Sequence, residues 1–444
     1  MKNVLIYGLG KSGVASAKLL LKQGYRVFLY DGRQNLSHEV CQLAKQGAIL
    51  LDDLLDDLIT KLSMAVVSPG VSVYHKDIQR LKQKTKVIGE SELAFFNCRG
   101  QVVAVTGTNG KTTTCSLIHN ILQLSHKKSF LLGNGGVPFS TAVEVIQKND
   151  VVVHETSSFQ LETTDIFKPY IGALINVTPD HLDRHKSFDT YVKTKLSLFK
   201  RQDENCFALL NFDDKIIRAN QDEIKSQKIW FSATKKADVY QKDGWVFFRG
   251  KAVVKIENPL FKPKHNLSNL LCAVGVCKLL GVADEVIQKG VDGFCGVPHR
   301  LQILGSTNDV TFVNDSKATN VHSVLPALTA FDNISLILGG CDKGFAFDSL
   351  FKKMPPNVNF CILYGQAKDK LFACAKKYDF RNLFLADSFD NATKIAYYSA
   401  LPKGTVLLSP ACASFDCFDS FEQRGNRFEQ LFLELKNEQN KSSS

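Results

Sequence analysis

Val102-Val103-Ala104-Val105-Thr106-Gly107-Thr108-Asn109-Gly110-Lys111-Thr112-Thr113-Thr114 is the stretch that decides the fold of this chain. It opens on an apolar, mostly β-branched run, Val102 to Val105, which predicts a buried strand. Gly107 and Gly110 break the run, and Lys111-Thr112 then opens an apolar-periodic segment from Cys115 to Leu124. Strand, glycine turn and helix start aim backbone N–H groups and a helix N-terminus at one point, and phosphate binds there. Lys111 would lie against the terminal phosphates, and the Thr112 hydroxyl would reach a magnesium ion. The usual phosphate-loop spacing asks for glycine where Val105 stands, so Gly107 must supply the turn. The bland alternative is a strand-to-helix turn carrying a fortuitous Gly-Lys-Thr. The order of all the parts favours a nucleoside-triphosphate site.

Working outward, residues 1–90 begin with an apolar run, Val4 to Tyr7, then Gly8-Leu9-Gly10-Lys11-Ser12-Gly13. A helical pattern follows, and a second strand, Val27 to Tyr30, ends at Asp31. That is a dinucleotide-type fingerprint. It fits an NAD enzyme, but it also fits any nucleotide diphosphate held by the first turn with Asp31 facing a ribose or base. A purely structural tight turn is the third possibility. Ala65 to Gly70 predicts another strand ending at the same sheet edge, and Val87 to Glu90 closes the unit.

The 444 residues suit about three domains. A hydrophobic content of 44% and a charged content of 22% are those of a soluble globular protein. Val4 to Leu9 is too short for a signal peptide or a membrane span. Twelve scattered cysteines without a Cys-x-x-Cys pair read as reduced core thiols of a cytoplasmic enzyme. The net charge of +11 suits a protein handling several phosphates; the dispersed Lys and Arg argue against nucleic-acid binding.

Past the phosphate loop, three polar clusters each end an apolar run. Gly133 to Pro138 presents Asn134, and Val151 to Gln160 delivers Glu155 at a strand end. Ala173 to Asn176 leads into Asp180-His181-Leu182-Asp183-Arg184-His185. A strand-end carboxylate beside a phosphate loop commonly completes a magnesium site, although Glu155 alone would equally be a solvated glutamate. His181 is expected near magnesium or substrate and His185 at the surface, because no third ligand supports a zinc pair. Tyr191 to Lys195 starts an amphipathic helix whose lysines would by default face solvent. Residues 206–256 predict short strands with a hairpin at Arg249-Gly250-Lys251, an embellishment rather than a site. His265 to Asn269 would cap an apolar helix reaching Leu280, and Gly293 to Arg300 reads as a linker.

The last third alternates strands (Val310–Val313, Ile334–Leu338, Phe360–Tyr364, Leu383–Leu385, Val406–Leu408) with helices, which predicts a second doubly wound parallel sheet. Three polar clusters follow strand ends: Asn314 to Asn320, Gly339 to Gly344, and Ser409 to Asp416. Lysines and hydroxyls gathered at parallel strand ends suit a small, doubly anionic substrate.

Taken in order, Gly107 to Thr113, Glu155 with Ser157-Ser158-Phe159, Asp180 to His185, Tyr191 to Lys195, His265-Asn266, Pro298-His299-Arg300 and Asn314 to Lys317 resemble the Mur ligase family. Asn314 to Asn320 and Ser409 to Gly425 resemble its D-glutamate-adding branch. The resemblance implies three α/β domains: a Rossmann-like UDP-binding domain (1–90), a central P-loop ATP-binding domain (91–295) and a Rossmann-like amino-acid-binding domain (296–444). A hinge is expected near residue 295. It also implies a cytoplasmic, monomeric enzyme of peptidoglycan assembly, with no membrane insertion. ATP would drive amide formation between UDP-N-acetylmuramoyl-L-alanine and D-glutamate through an acyl phosphate.

By the same resemblance, Ser12, Asp31, Gly32, Arg33, Ser68, Gly70, Asn134 and His181 would bind the UDP substrate. Gly107, Thr108, Asn109, Gly110, Lys111, Thr112, Thr113, Asn266, Asn269, Arg300 and Asp315 would bind ATP. Thr319, Lys343, Ser414 and Phe421 would bind D-glutamate. Thr112, Glu155, His181 and a carbamylated Lys195 would hold two Mg2+ ions, and Lys111, His181 and Lys195 would be catalytic. The rivals are an NAD oxidoreductase, a non-catalytic nucleotide binder, and a related amino-acid or folate-polyglutamate ligase.

Overall fold

A computed structural model describes residues 2–32, 37–134, 136–342, 344 and 346–442, with backbone alone for His265, His322 and residues 440–442. The chain forms two compact units, Met1–Phe294 and Cys295–Ser444.

The first unit carries two sheets. In one, β1 (Asn3–Tyr7), β2 (Arg26–Tyr30), β3 (Ile49–Leu50), β4 (Leu62–Val67) and β5 (Lys86–Gly89) are all parallel, in the order β3-β2-β1-β4-β5. The order reverses at β1 and β4, so their carboxyl ends form the crevice where such sheets take ligands.

The second sheet comprises β6 (Gln101–Thr106), β7 (Ser129–Gly133), β8 (Val151–Glu155), β9 (Ile171–Leu174), β10 (Phe207–Asn211), β11 (Gln227–Ser232), β12 (Val239–Lys242), β13 (Trp245–Phe248) and β14 (Lys251–Lys255). Its order is β14-β13-β12-β11-β10-β9-β6-β8-β7. The predicted strand at Val102–Val105 is β6, flanked by β8 and β9 and completely buried from Val103 to Val105. Burial on both faces is why that run is continuous rather than alternating. Residues 206–256 are more than an embellishment: β10, β11 and β12 extend the parallel sheet, and only the pairings of β13 with β12 and with β14 are antiparallel.

Residue 90 marks a change of sheet without a gap in packing. β5 runs into the helix Glu90–Asn97, whose two glutamates are buried. Glu90 accepts from the Ser140 N–H and hydroxyl, each at 2.6 Å. Glu92 accepts from the N–H groups of Ile166 (2.7 Å) and Phe167 (3.0 Å). One apolar cluster continues from Val4 and Leu29 through Leu93 and Phe139 to Val152 and Leu174.

The second unit holds β15 (Gln302–Thr307), β16 (Val310–Asn314), β17 (Ile334–Gly339), β18 (Val358–Tyr364), β19 (Leu383–Leu385) and β20 (Thr405–Ala411), in the order β15-β16-β20-β17-β18-β19. The five expected strands, β16 to β20, pair parallel, and one strand that was not expected joins at the edge. β15 directly follows the linker-like stretch and pairs antiparallel with β16, because only a short turn at Asn308 and Asp309 separates them. The cysteines are not uniformly core thiols either: Cys41, Cys295 and Cys417 are exposed.

Candidate active site

The expected phosphate loop is a glycine turn built where β6 ends. Gly110 adopts φ +85°, and a Cβ there would overlap the Asn269 side-chain amide. Only glycine meets both conditions. The helix Lys111–Leu124 starts at the next residue. Asn176, just beyond β9, pins the loop: its side-chain oxygen accepts from Asn109 N–H (2.9 Å), its amide donates to the Asn109 carbonyl (3.1 Å), and its carbonyl accepts from Thr108 N–H (3.0 Å). Asn266 and Asn269 lie in the first turns of the helix Lys264–Leu279, beside the same loop. Pro263, not this pair, occupies the cap position; Asn266 instead donates to the Leu260 carbonyl at 2.9 Å.

Two amines share one carbonyl. Lys111 Nζ donates to the carbonyl oxygens of Gly107 (2.9 Å) and Thr108 (3.0 Å), and Lys195 Nζ donates to the same Gly107 oxygen at 2.9 Å. The expectation of a solvated Lys195 is overturned: it is 1% exposed, on the inner face of the helix Phe188–Leu196, above the Tyr191 ring. Lys193, two residues earlier, points out and pairs with Asp189. Burial, and then the neighbouring Lys111 charge, push the Lys195 pKa down to about 7, against a smaller opposing pull from Asp180. Near neutrality a large fraction of this amine is therefore uncharged and nucleophilic.

Glu155 ends β8 in register with Val105, its side chain buried and accepting from Asn134 Nδ2 at 3.0 Å. His154 beneath it is neutral, its pKa pushed to about 3 by burial, and it bonds to Thr156 and Ser91 hydroxyls. His181 is half exposed, left-handed (φ 51°), and packs on the Phe159 ring. Asp180 holds that backbone by accepting from the His181 N–H at 2.8 Å. His185 is the second correction. It is buried rather than at the surface, its Nε2 3.0 Å from Ser158 Oγ and its Nδ1 3.3 Å from Glu162.

At the rim of the first sheet, Gly8 adopts φ +91° and a Cβ on Gly13 would overlap the Gly8 carbonyl. Ser68 donates to that carbonyl at 2.6 Å, joining the β1 and β4 loops at the crevice. Asp31 accepts from the Leu9 N–H at 2.7 Å, so it shapes the glycine turn as well as facing the rim. Ser12 is half-buried, and Gly32 and Gly70 are exposed. Arg33 lies outside the described residues.

In the second unit the predicted clusters do follow strand ends. Asp315, after β16, accepts from Ser409 Oγ (2.6 Å) and Leu301 N–H (3.2 Å). Burial pushes its pKa up to about 7, although Ser409, the Leu301 N–H and the Arg300 charge pull it down. Arg424, fully buried, donates to Ser316 Oγ and carbonyl (each 2.9 Å), the Cys412 carbonyl (3.1 Å) and the Tyr364 hydroxyl (3.3 Å). It ties the loops that carry Ser414 and Thr319; Ser316 in turn donates to the Phe421 carbonyl at 2.8 Å. His299 is buried in the linker-like segment beside Gly425. Lys343 lies outside the described residues.

The roles of Asn176 and Arg424 were not foreseen. Asn176 carried a signal, an amide at the end of an apolar run. Arg424 carried none, since an arginine within a charged helix reads as solvent-facing.

The Mur ligase MurD-like N-terminal domain matches residues 2–89, the Mur ligase middle domain residues 105–277, and the Mur ligase glutamate ligase domain residues 299–412. The chain is similar to the UDP-N-acetylmuramoylalanine–D-glutamate ligase of Caldanaerobacter subterraneus subsp. tengcongensis, 36% identical over 98% of this chain and 99% of that one. The enzyme of the same name from Koribacter versatilis is 37% identical over 99% of both. Among solved structures, MurF of Acinetobacter baumannii shares the fold (TM-score 0.58, 16% identity, 98% and 93% covered). So does the MurF ligase of Thermotoga maritima in complex with ADP (TM-score 0.56, 16% identity, 94% and 95% covered).

Proposed function

Since this chain belongs to the Mur ligase family, we propose that it joins D-glutamate to UDP-N-acetylmuramoyl-L-alanine at the expense of ATP, in peptidoglycan precursor synthesis. The observation that carries the chemistry is the pair of lysines meeting on the Gly107 carbonyl at a phosphate loop. The relatives' names supply the substrates.

A carboxylate resists attack by an amine until one of its oxygens becomes a leaving group. Phosphoryl transfer from ATP to the L-alanyl carboxylate forms an acyl phosphate and ADP; the D-glutamate amine then attacks that carbonyl carbon, and phosphate leaves from the tetrahedral intermediate. The Lys111 ammonium offsets charge on the terminal phosphates, and the N–H groups from Gly107 to Thr113 cradle them. Asn266 and Asn269 flank the nucleotide. In the second unit we assign Arg300 and Asp315 to ATP, and Thr319, Lys343, Ser414 and Phe421 to D-glutamate. Ser12, Asp31, Gly32, Arg33, Ser68 and Gly70 serve the UDP end of the substrate, and Asn134 and His181 its muramoyl-alanyl part. The reaction belongs to the cytoplasm.

The donor set fits magnesium: Thr112 offers a hydroxyl and Glu155 a carboxylate, the hard oxygen ligands that ion takes alongside phosphate oxygens. His181 would serve a second ion. Magnesium, when bound, supplies charge neutralisation and polarises the transferred phosphoryl group. The half-neutral Lys195 amine suits addition to carbon dioxide, which would replace a buried amine with a second anionic oxygen ligand beside the Glu155 carboxylate.

Phosphate release from ATP is the test, run with UDP-N-acetylmuramoyl-L-alanine against a panel of D- and L-amino acids. Turnover is expected with D-glutamate, and Lys111→Ala and Glu155→Ala should each lower it at least about a thousandfold while the protein stays folded. Full activity in either variant would reject the site, and preference for another amino acid would reject the substrate.

A further inference from the structure

Arg184 follows His181 by three residues, at the end of the short helix Leu182–His185. An arginine at a helix C-terminus is normally an exposed partner for the helix dipole. This one is largely enclosed, with its side chain 11% exposed, and all of its directional bonds reach other elements. Its Nε and Nη2 donate to Glu162 Oε2 at 3.1 and 2.6 Å. Nη1 donates to the Pro69 carbonyl at 2.7 Å, and Nη2 to the Val71 carbonyl at 3.0 Å. The guanidinium plane rests 4.0 Å from the Phe159 ring, which also carries His181 at 4.8 Å.

Pro69 and Val71 bracket Gly70 in the loop after β4, at the switch point of the first sheet; His181 belongs to the second sheet's rim. The His181–Lys186 segment is strained at both ends, His181 at φ 51° and Lys186 at φ 66°, and Lys186 Nζ sits 3.9 Å from the Tyr74 ring of the same loop. Left-handed backbone at such residues persists only where surrounding contacts hold it. We propose that Arg184 is a positioning residue for the UDP substrate, a single guanidinium that fixes the Ser68–Val71 loop against His181. It thereby sets the span between the sites for the two ends of that substrate. A fork of donors in one plane is what this requires; an ammonium is a point charge and serves one partner at a time. Glu162, which accepts from Nε and Nη2, compensates the enclosed cation.

The role so stated rests on the assignment of Ser68, Gly70 and His181 to the UDP substrate, so the experiment has two separable arms. The first is amide hydrogen exchange on the full-length chain, comparing wild type with Arg184→Lys. Faster exchange is expected at Val71 to Val73, with β6 unchanged. The second is steady-state kinetics. KM for UDP-N-acetylmuramoyl-L-alanine should rise about tenfold or more, with KM for ATP within about twofold and the melting temperature nearly unchanged. Unchanged exchange at Val71 to Val73 overturns the proposal, as does a parallel rise in both KM values. Should Arg184→Lys fail to fold, Glu162→Gln takes its place in both arms, with smaller changes in the same direction; none at Val71 would again overturn it. A wild-type chain inactive on the UDP substrate would instead reject the substrate assignment, while the exchange arm still decides whether Arg184 holds the loop.

Discussion

Lys195 shows how much one burial can change. In an isolated helix it would be an ordinary solvated cation; here its amine is sealed beside Lys111, and its pKa falls from 10.5 to about 7. The unfolded chain keeps the ordinary value, so between those two pH values the unfolded state binds more protons and stability rises with pH. Below about pH 7 the charged form is enclosed and the full penalty applies, on the order of a few kcal/mol at about 1.4 kcal/mol for each tenfold loss of proton affinity. In bicarbonate-free buffer, Lys195→Met is therefore expected to raise the melting temperature at about pH 6, the gain shrinking toward about pH 10. A gain that does not vary with pH would assign the effect to packing. The same variant should lose turnover, since the amine and anything built on it are gone.

At the scale of elements, the phosphate loop depends on Gly110 for two reasons that can be separated. Gly24 also lies at positive φ (+78°) but has open space around it, whereas Gly110 (+85°) is closed in by Asn269. Gly24→Ala should cost only the left-handed term, about 1 kcal/mol in denaturant melts, with turnover intact. Gly110→Ala should cost that and also displace Asn269, raising KM for ATP about tenfold or more. Adding Asn269→Ala would remove the overlap without restoring the ATP contact proposed for Asn269, so KM should stay high. Recovery of normal KM in the double variant would mean that the overlap alone matters. Much of this loop was legible beforehand, because glycine at a turn and β-branched residues in a buried strand are local necessities. His185 was not: whether a histidine at the end of a four-residue helix faces solvent depends on what lies behind it, and here Ser158 and Glu162 do.

For the molecule as a whole, the first two sheets behave as one unit while residues 295–444 form another. The link is chemical as well as apolar, since Glu90 and Glu92 close the hydrogen bonds of segments some fifty and seventy residues away. A fragment of residues 1–294 is expected to fold alone, and one of residues 1–97 to remain largely unfolded. Glu92→Ala strips the acceptor from two N–H groups, Ile166 and Phe167. It should lower the first unit's stability by about 3 kcal/mol and leave the transition of residues 295–444 unmoved in calorimetry. Movement of both transitions would show that the units unfold together.

Sequence alone determined the class of fold, the glycine turn at Gly107 to Gly110 with its helix start, and five parallel strands of the last third, because period, glycine placement and strand-end chemistry are properties of neighbouring residues. Tertiary structure decided the rest. It brought Lys195 and Lys111 to one carbonyl, buried His185 and Arg424, pinned the loop with Asn176, and gave Arg184 two carbonyls across the sheet boundary. Solvation and charge at those atoms are set by groups distant in the chain, and no local pattern encodes which of several lysines, histidines or arginines the fold will enclose.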